Sequence, residues 1–514
     1  MRARFCEYTI ALVLALLAAI ICAFKMGESF RMVDDSAAYI SQAIALAQGT
    51  TRNFINDSAF MIGKYDLEYM TPTTYPWGFP LILTPIYQIF GFNIFAFKSV
   101  GIICYAVFVG IFYLFCVRRL AKIYAIFASL LFALNPYMTN FAANEIYSDI
   151  SFLLVSFVVL IILGKLFVYS ANCGKIAESS VKSSKSGLFI ATFGGIFMLF
   201  ATLIRINGFV ILCALIAMHS ILFAKHLAPK ILSTQILSPL ARINSPHSWR
   251  IHAIPHIIFI TGFTGISFVL SSGSGRHLEY LTLITLESIL QNLSLIKFDW
   301  LIPLGTNFDG LLFGICAIFI LLGIYAKIYK SAESPQNIFY LIFVLGFFTL
   351  IALWVEFEKR FLFLSAPFLI FWCFCGIEFI NKAILNRAVA VFTIFILINL
   401  AWINVRDISF IKSDTAPDNA YSAESRQIYD FIIANTPENA IIISFKPRVF
   451  YLNTARLGFV SSKIERLSEA DFVVWNGRYV NDLHTMQDIL SPEFRERTEL
   501  VFQNGEYKFF KIIK

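Results

Sequence analysis

Apolar segments long enough to cross a bilayer recur through most of this chain. A spanning helix needs about 20 apolar residues, because unpaired backbone groups are too costly in lipid. The 514 residues are 58% hydrophobic and only 14% charged, whereas a soluble domain carries roughly 25% charged residues. The sequence therefore predicts a mainly α, polytopic membrane protein with about eleven spans. These are predicted near 9–25, 93–116, 123–140, 150–169, 187–204, 207–224, 253–270, 309–326, 338–354, 361–380 and 388–404.

The basic residues predict how these spans are oriented. With the N-terminus inside, the inner loops hold clusters such as Arg118, Arg119 and Lys122, while the short outer loops are poor in lysine and arginine. The net charge of +8 thus reflects membrane topology and does not indicate nucleic-acid binding. Eleven crossings put the C-terminal tail outside, on an integral membrane protein typical of a bacterial inner or plasma membrane.

Three polar regions are expected on the outer side: the loop over 28–91, a loop over about 271–307 with a further surface helix, and the C-terminal tail. The loop over 28–91 is too long to be a simple connector and contains a predicted helix over 35–48. The division into domains is predicted at residues 1–404, the membrane part, and 405–514, a small extracytoplasmic α/β domain. In that domain we expect a helix over 425–434, strands at 441–445 and 472–475, and a hairpin turning at Asn504-Gly505 with positive φ at both residues.

Two adjacent aspartates, Asp34 and Asp35, directly follow the first span. One of them can serve as the N-cap of the following helix, which does not exclude catalysis by the other. Further acids in the same loop, Asp57, Asp66 and Glu68, predict an acidic mouth at the membrane surface. A carboxylate placed there can act as a general base toward a hydroxyl.

The segment Asp35-Ser36-Ala37-Ala38-Tyr39, with Ala43 four residues on, resembles the Asp-Glu-x-x-Tyr-x-x-x-Ala element of the GT-C superfamily. These are polytopic glycosyltransferases that use polyprenyl-phosphate sugars, including protein mannosyltransferases and aminoarabinose transferases. The resemblance implies that Asp35 is the catalytic carboxylate and Asp34 a helix cap or supporting acid. The chain departs from the element at Ser36, where many members have glutamate.

Four more segments are similar to elements of that superfamily. Tyr75-Pro76-Trp77-Gly78-Phe79-Pro80 resembles its Tyr-Pro-Pro-Gly-x-Pro element, although a Pro/Gly turn before an apolar helix is common. Asn144-Glu145-Ile146-Tyr147-Ser148-Asp149 resembles a segment of its second outer loop; Glu145 and Asp149 are equally well explained as solvated turn residues. Arg205 and Arg360 resemble arginines at its helix ends, where such side chains also simply reach the interface or form ion pairs.

The resemblance implies an inverting transferase that moves one sugar from a polyprenyl-phosphate donor to a hydroxyl of a lipid, glycan or protein at the outer face. A flippase for polyprenyl-linked glycans and a catalytically inactive sugar-lipid-binding protein remain alternatives. No metal ligands are predicted, and a need for Mg²⁺ or Mn²⁺ is left open. The implied roles are catalytic for Asp35, Asp34, Glu145 and Asp149, donor-phosphate binding for Arg205, Lys359, Arg360 and Lys64, and substrate binding for Tyr39, Tyr75 and Trp77.

Overall fold

Apolar helices make up most of the molecule. The computed structural model describes residues 2–65, 72–173, 180–227, 246–270, 284–296, 309–331, 333–354, 357–380, 383–413, 419–479 and 491–514. The helices of the membrane part are α1 (Arg2–Lys25), α2 (Asp34–Gln48), α3 (Thr51–Gly63), α4 (Gly78–Phe90), α5 (Ile94–Val117), α6 (Lys122–Ala133), α7 (Pro136–Asn144), α8 (Asp149–Cys173), α9 (Ser180–Ile204), α10 (Phe209–Leu227), α11 (Pro246–Val269), α12 (Leu286–Leu295), α13 (Asp309–Tyr329), α14 (Ser334–Ala352), α15 (Ala366–Ile380) and α16 (Ala383–Ser413).

The helices confirm a polytopic membrane protein. In the described part of the chain, eight helices are long and apolar enough to cross a membrane, or nine if the bent pair α6–α7 counts as one span. Ten of the eleven predicted segments fall on one apolar helix each, and the eleventh, 123–140, falls on the bent pair α6–α7. Two of them, 309–326 and 361–380, fall on shorter apolar stretches, Gly314–Tyr329 and Ala366–Ile380. The protein is therefore an integral, multi-pass membrane protein.

The predicted span 123–140 is wrong as one continuous helix. It breaks between α6 and α7, which meet at 50°. Pro136 stands at the first position of α7, where its missing N–H is not needed, and the Asn135 side chain caps the new helix by accepting from the N–H of Met138. A proline after a capping residue starts a helix rather than continuing one.

Phenylalanine rings fill the centre of the bundle. Phe112 of α5 meets Phe132 of α6 edge-on at 4.9 Å between ring centroids, and Phe108 meets Phe157 of α8 at 5.5 Å. Edge-to-face contacts of this kind contribute beyond the apolar area they bury. The chain is rich in phenylalanine, and these rings serve helix packing as well as lipid contact.

The two ends of the bundle differ in charge and in structure. At one end α5 stops and α14 starts, and Arg119 pairs with Glu333 at 2.8 Å while Lys327 donates to the carbonyl of Arg119. At the other end α8 begins, α9 ends, and the region between α1 and α5 folds into α2, α3 and α4. Lys98 of α5 anchors that region by donating to the carbonyls of Gly27 and Ser29 at 2.8 and 2.6 Å.

The C-terminal residues form a small α/β domain around a five-stranded sheet. Its elements are α17 (Ala423–Asn435), β1 (Ile441–Ile443), α18 (Pro447–Thr454), β2 (Leu457–Phe459), β3 (Phe472–Asn476), α19 (Pro492–Arg497), β4 (Thr498–Asn504) and β5 (Tyr507–Ile512). The strand order is β2-β1-β3-β5-β4, with β1 parallel to both neighbours and β5 antiparallel to both of its own. The predicted helix and both predicted strands are present, whereas α18 and β2 were not predicted. The boundary at 404/405 stays a prediction, and α16 continues past it.

The predicted hairpin is present, but its turn is shifted by one residue. Asn504 pairs with Tyr507, so the two loop residues are Gly505 and Glu506, and Gly505 takes φ +53° while Asn504 does not take positive φ. Glycine at the first central position is the requirement of a type II′ turn. The expectation of positive φ at Asn504 is therefore wrong.

Candidate active site at one end of the helix bundle

Asp35 lies at the centre of the candidate site, in the first turn of α2. Its side chain is 31% exposed, and the hydroxyl of Tyr75 donates a hydrogen bond to its Oδ1. Its Oδ2 lies 4.0 Å from Nη2 of Arg360. The carboxylate is thus held in place by a neutral donor, faces one arginine, and stays accessible to a substrate.

The same face of α2 positions Tyr75, as helical spacing predicts for Asp35, Tyr39 and Gln42. The Gln42 side chain accepts from the backbone N–H of Tyr75 at 3.1 Å and donates to its carbonyl at 2.9 Å. The ring of Tyr39 packs on the ring of Tyr75 at 4.7 Å, and its hydroxyl lies 3.0 Å from Oγ of Ser148. Burial raises the pKa of Tyr39 to about 12, so the phenol stays neutral and can donate.

The Tyr-Pro-x-Gly-x-Pro segment brings α4 against the end of α9. A Cβ on Gly78 would lie 2.5 Å from the carbonyl carbon of Leu203, so only glycine permits this approach. Tyr75 is three residues before Gly78, and Arg205 is two residues after Leu203. The close contact therefore places the segment that holds Asp35 beside the turn that carries Arg205.

The turn after α9 aims Arg205 at Asp149. Arg205 has extended backbone angles at the end of the helix, and Gly208 packs so tightly on Thr202 that a Cβ there would lie 2.6 Å from its Cα. Nη1 of Arg205 lies 2.7 Å from Oδ2 of Asp149, the first residue of α8. Asp149 is only 5% exposed, and a carboxylate at a helix N-terminus is stabilised there by the helix dipole.

Arg360 joins the two carboxylates. It lies in the short 3-10 turn Lys359–Leu362 before α15, with Nη1 3.8 Å from Asp149 and Nη2 2.5 Å from Glu358. Its guanidinium also lies over the ring of Tyr147 at 4.5 Å. Burial lowers the pKa of Arg360, but Asp149, Glu358 and Asp35 outweigh it and hold the pKa above its usual value. The guanidinium is therefore cationic throughout the physiological range.

A narrow groove opens at the two arginines. Charged and polar side chains line one part of the groove, and apolar side chains from α8, α14 and the turn before α15 line the rest. The lining consists of Asp149, Arg205, Asn207 and Arg360, with Phe152, Leu153, Phe347, Phe361, Phe363 and Leu364. Guanidinium groups beside an apolar wall suit a ligand with an anionic head and a hydrocarbon tail.

The structure brings most, but not all, of the predicted site residues together. Asp35, Asp149, Arg205, Arg360, Tyr39 and Tyr75 form the group described above. Glu145 instead pairs with Arg31 at 2.8 Å, and Lys64 pairs with Glu469 of the C-terminal domain at 3.0 Å. Trp77 is buried against Phe54 and lines a separate apolar cavity with Leu203, Phe263 and Leu270. Lys359 is exposed beside Arg360, and Asp66 and Glu68 lie outside the described residues.

Asp34 does not cap α2. The cap position belongs to Val33, and Asp34 is already the first helical residue. Burial raises the pKa of its carboxyl above the usual value, and the charges of Lys446 and Arg448 at the start of α18 oppose that rise. The alternative that Asp34 caps its own helix is therefore wrong, because its side chain faces the C-terminal domain, and a role as supporting acid stays a prediction.

Sequence reasoning missed three residues of the site. Tyr147 and Ser148 precede Asp149 in the same segment, and their position next to a candidate acid was the available signal. Arg448 of α18 packs over the ring of Tyr75 at 5.3 Å, and nothing in its local sequence indicates this. Within the described residues no group of three His, Cys, Asp or Glu side chains is arranged to hold a metal ion.

Comparison with known proteins identifies the fold. No family model and no curated protein matches the sequence. The structure is similar to ArnT from Cupriavidus metallidurans bound to undecaprenyl phosphate (TM-score 0.56, 11% identity, 97% of both chains). It is also similar to the oligosaccharyltransferase AglB from Archaeoglobus fulgidus with an inhibitory peptide and a dolichol-phosphate (TM-score 0.55, 14% identity, 93% of this chain and 70% of that one). The chain therefore has the fold of the GT-C glycosyltransferases.

Proposed function

We propose that this protein is an inverting glycosyltransferase that moves a sugar from a polyprenyl-phosphate donor to an acceptor hydroxyl of a lipid, glycan or protein. The observation that carries the proposal is the groove in which an apolar wall ends at Arg205 and Arg360, with Asp35 4.0 Å from the second arginine. The neighbours of the same fold were solved with undecaprenyl phosphate and with a dolichol-phosphate, which supports a donor of this kind.

The two arginines would hold the donor phosphate. When the bond between the anomeric carbon and the phosphate oxygen breaks, negative charge develops on the phosphate, and fixed guanidinium groups stabilise it. Asp149, 2.7 Å from Arg205 and 3.8 Å from Arg360, keeps both groups oriented before the donor arrives. It neutralises part of their charge, so it acts as a positioning acid rather than as the base.

Asp35 would be the general base. It takes the proton of the acceptor hydroxyl, the hydroxyl oxygen forms the new bond to the anomeric carbon, and the polyprenyl phosphate leaves from the opposite face. One displacement inverts the anomeric centre. The exposure of the side chain, 31% against 5% for Asp149, supports this assignment because a base has to reach its substrate.

The active site is proposed to face the outer side of the membrane. The clusters around Arg119 and Lys327 lie at the opposite end of the bundle from Asp35. Positively charged loops stay on the cytoplasmic side. The site end, with the C-terminal domain that packs on it, is then extracytoplasmic.

Replacing Asp35 by asparagine tests the proposal. The full chain is supplied with a pool of undecaprenyl-phosphate sugars and native membranes as the acceptor source, and release of undecaprenyl phosphate is followed by mass spectrometry. We expect Asp35→Asn to lower the turnover by about 100-fold or more, the contribution of a general base, with undecaprenyl phosphate still bound.

The matched variant is Asp34→Asn, for which a smaller loss is expected because Asp34 faces α18. Full turnover in Asp35→Asn would show that another group is the base. Binding without any turnover in the wild-type protein would favour the inactive sugar-lipid-binding alternative.

A further inference from the structure

The C-terminal domain reaches the candidate site through the first turn of α18. The carboxylate of Asp34 in α2 lies near this turn, where burial raises its pKa and the charges of Lys446 and Arg448 oppose that rise. The two adjacent aspartates therefore serve different partners, Asp34 the C-terminal domain and Asp35 the bundle.

Arg448, the preceding residue of α18, contacts the segment that holds Asp35. It is 3% exposed, and its Nη2 donates to the carbonyl of Pro72. Its guanidinium carbon lies 5.3 Å from the ring centroid of Tyr75. Arg448 thus fixes this segment at two points, three residues apart, and the hydroxyl of the fixed tyrosine donates to Asp35.

The buried charge of Arg448 is a second feature of this contact. Among the described residues its Nε and Nη1 have no hydrogen-bond partner, nor does Oδ1 of Asp34. A buried charge with free donors costs stability, and such groups in a native structure call for an explanation. The charged groups around the two aspartates include Asp149, Glu358 and Arg360 from the membrane part, with Lys446 and Arg448 from the C-terminal domain.

We propose that Arg448 is a positioning residue of the transfer reaction: it holds Tyr75, and Tyr75 holds the carboxylate of Asp35 in the orientation that accepts the proton. The inference rests on the proposed function and adds that the C-terminal domain completes the active site. The base is then set by three separate parts of the chain, α2, the segment before α4, and α18.

The experiment uses the full-length protein with Arg448→Met and Arg448→Lys. The matched control is Arg456→Met, because Arg456 is also buried in the C-terminal domain but donates to Thr436 and Thr454 within it. Three quantities are measured: hydrogen exchange of residues 72–78, the affinity for undecaprenyl phosphate, and kcat and KM for release of undecaprenyl phosphate from its sugar-linked form.

For Arg448→Met we expect faster exchange over residues 72–78 and a kcat lower by about 100-fold, the effect of misplacing a catalytic group by roughly 1 Å. The KM and the affinity for undecaprenyl phosphate stay within about twofold of wild type, because Arg205 and Arg360 are untouched. Arg448→Lys keeps the charge and recovers part of kcat. Arg456→Met lowers the melting temperature and leaves exchange over 72–78 and kcat of the folded protein unchanged.

A double variant separates positioning through Tyr75 from a direct effect. Arg448→Met added to Tyr75→Phe should lower kcat little further, because both changes break the same connection. If the double variant shows the product of the two single losses in kcat, the inference is overturned while the proposed function stands. The same holds if Arg448→Met keeps the wild-type kcat and the wild-type exchange over 72–78. If the wild-type protein releases no undecaprenyl phosphate from any sugar-linked form, the proposed function fails, and the catalytic role of Arg448 fails with it.

Discussion

Two acids of similar chemistry have different surroundings at the site. Asp149 lies 2.7 Å from one arginine and 3.8 Å from another, at 5% exposure. Asp35 lies 4.0 Å from Arg360, and its side chain is 31% exposed. Asp149 is buried and already paired with two guanidinium groups, so an incoming hydroxyl reaches Asp35 more readily. Accessibility and pairing, rather than residue type, therefore support the proposed assignment of Asp35 as the base and Asp149 as a positioning acid.

At this scale, Arg360→Lys should weaken binding of undecaprenyl phosphate. Lysine keeps the charge but loses the planar fork that reaches Asp149, Glu358 and a phosphate together. Hydrogen bonds to charged groups contribute roughly 1.5–3 kcal/mol, so we expect an affinity about tenfold lower or worse. The affinity is measured by titration of the purified protein. Arg426→Lys, an exposed position on α17, is the control, and equal affinities in the two variants would contradict the assignment.

At the level of elements, the site is built from helix ends. Asp149 begins α8, Arg205 follows the end of α9, and Arg360 lies in the turn before α15. Helix ends carry free backbone groups and tolerate abrupt changes of direction. They meet here because two glycines allow backbones to touch, Gly78 against Leu203 and Gly208 against Thr202.

Gly78→Ala should destabilise the protein and impair turnover together. The added methyl group would lie 2.5 Å from a backbone atom of Leu203, which cannot move without displacing Arg205. Overpacking of this kind costs about 1–3 kcal/mol. The melting temperature in detergent and the release of undecaprenyl phosphate measure the two effects. Gly63→Ala is the matched change, since no atom lies within 4 Å of its added Cβ; equal behaviour of the two variants would refute the packing argument.

Across the whole molecule, charge and structure are divided between the two ends of the bundle. One end carries the basic cluster around Arg119, and the other carries the arginine–carboxylate group with α2, α3, α4 and the C-terminal domain packed over it. Tyr451 of α18 donates to Asp57 of α3 at 2.8 Å, and Lys64 pairs with Glu469 at 3.0 Å. The C-terminal domain is therefore tied to the loop region at several points beyond Asp34.

The orientation is tested with single cysteines at two exposed positions. We expect Glu499→Cys on β4 to react with a membrane-impermeant maleimide added to intact cells. Arg118→Cys, at the end of α5, should react only after the membrane is opened, because basic clusters stay inside. Labelling above that of the wild-type protein is measured by a gel shift. The reverse pattern would place the site in the cytoplasm.

Several residues of the candidate site could be predicted from the sequence, because helical spacing and the positions of helix ends are determined locally along the chain. Asp35, Tyr39 and Gln42 share one face of α2, and the segments of Asp149, Arg205 and Arg360 stand at helix ends. Lys64 could not be placed this way, since its partner Glu469 is 405 residues away in the chain. The elements α3, β2 and α18 were also missed, because their apolar patterns are short.

The sequence by itself determined the membrane class and most of the apolar helices, since segment length and hydropathy act locally along the chain, and the resemblance of short motifs predicted the GT-C fold. Only the tertiary structure decided which partner each charge takes. Asp34 lies near the charges of α18, Asp149 pairs with the two arginines, and Tyr75 contacts both Asp35 and Arg448. Pairing depends on distances of a few ångströms between residues far apart in sequence, and Coulomb and hydrogen-bond energies fall steeply over that range.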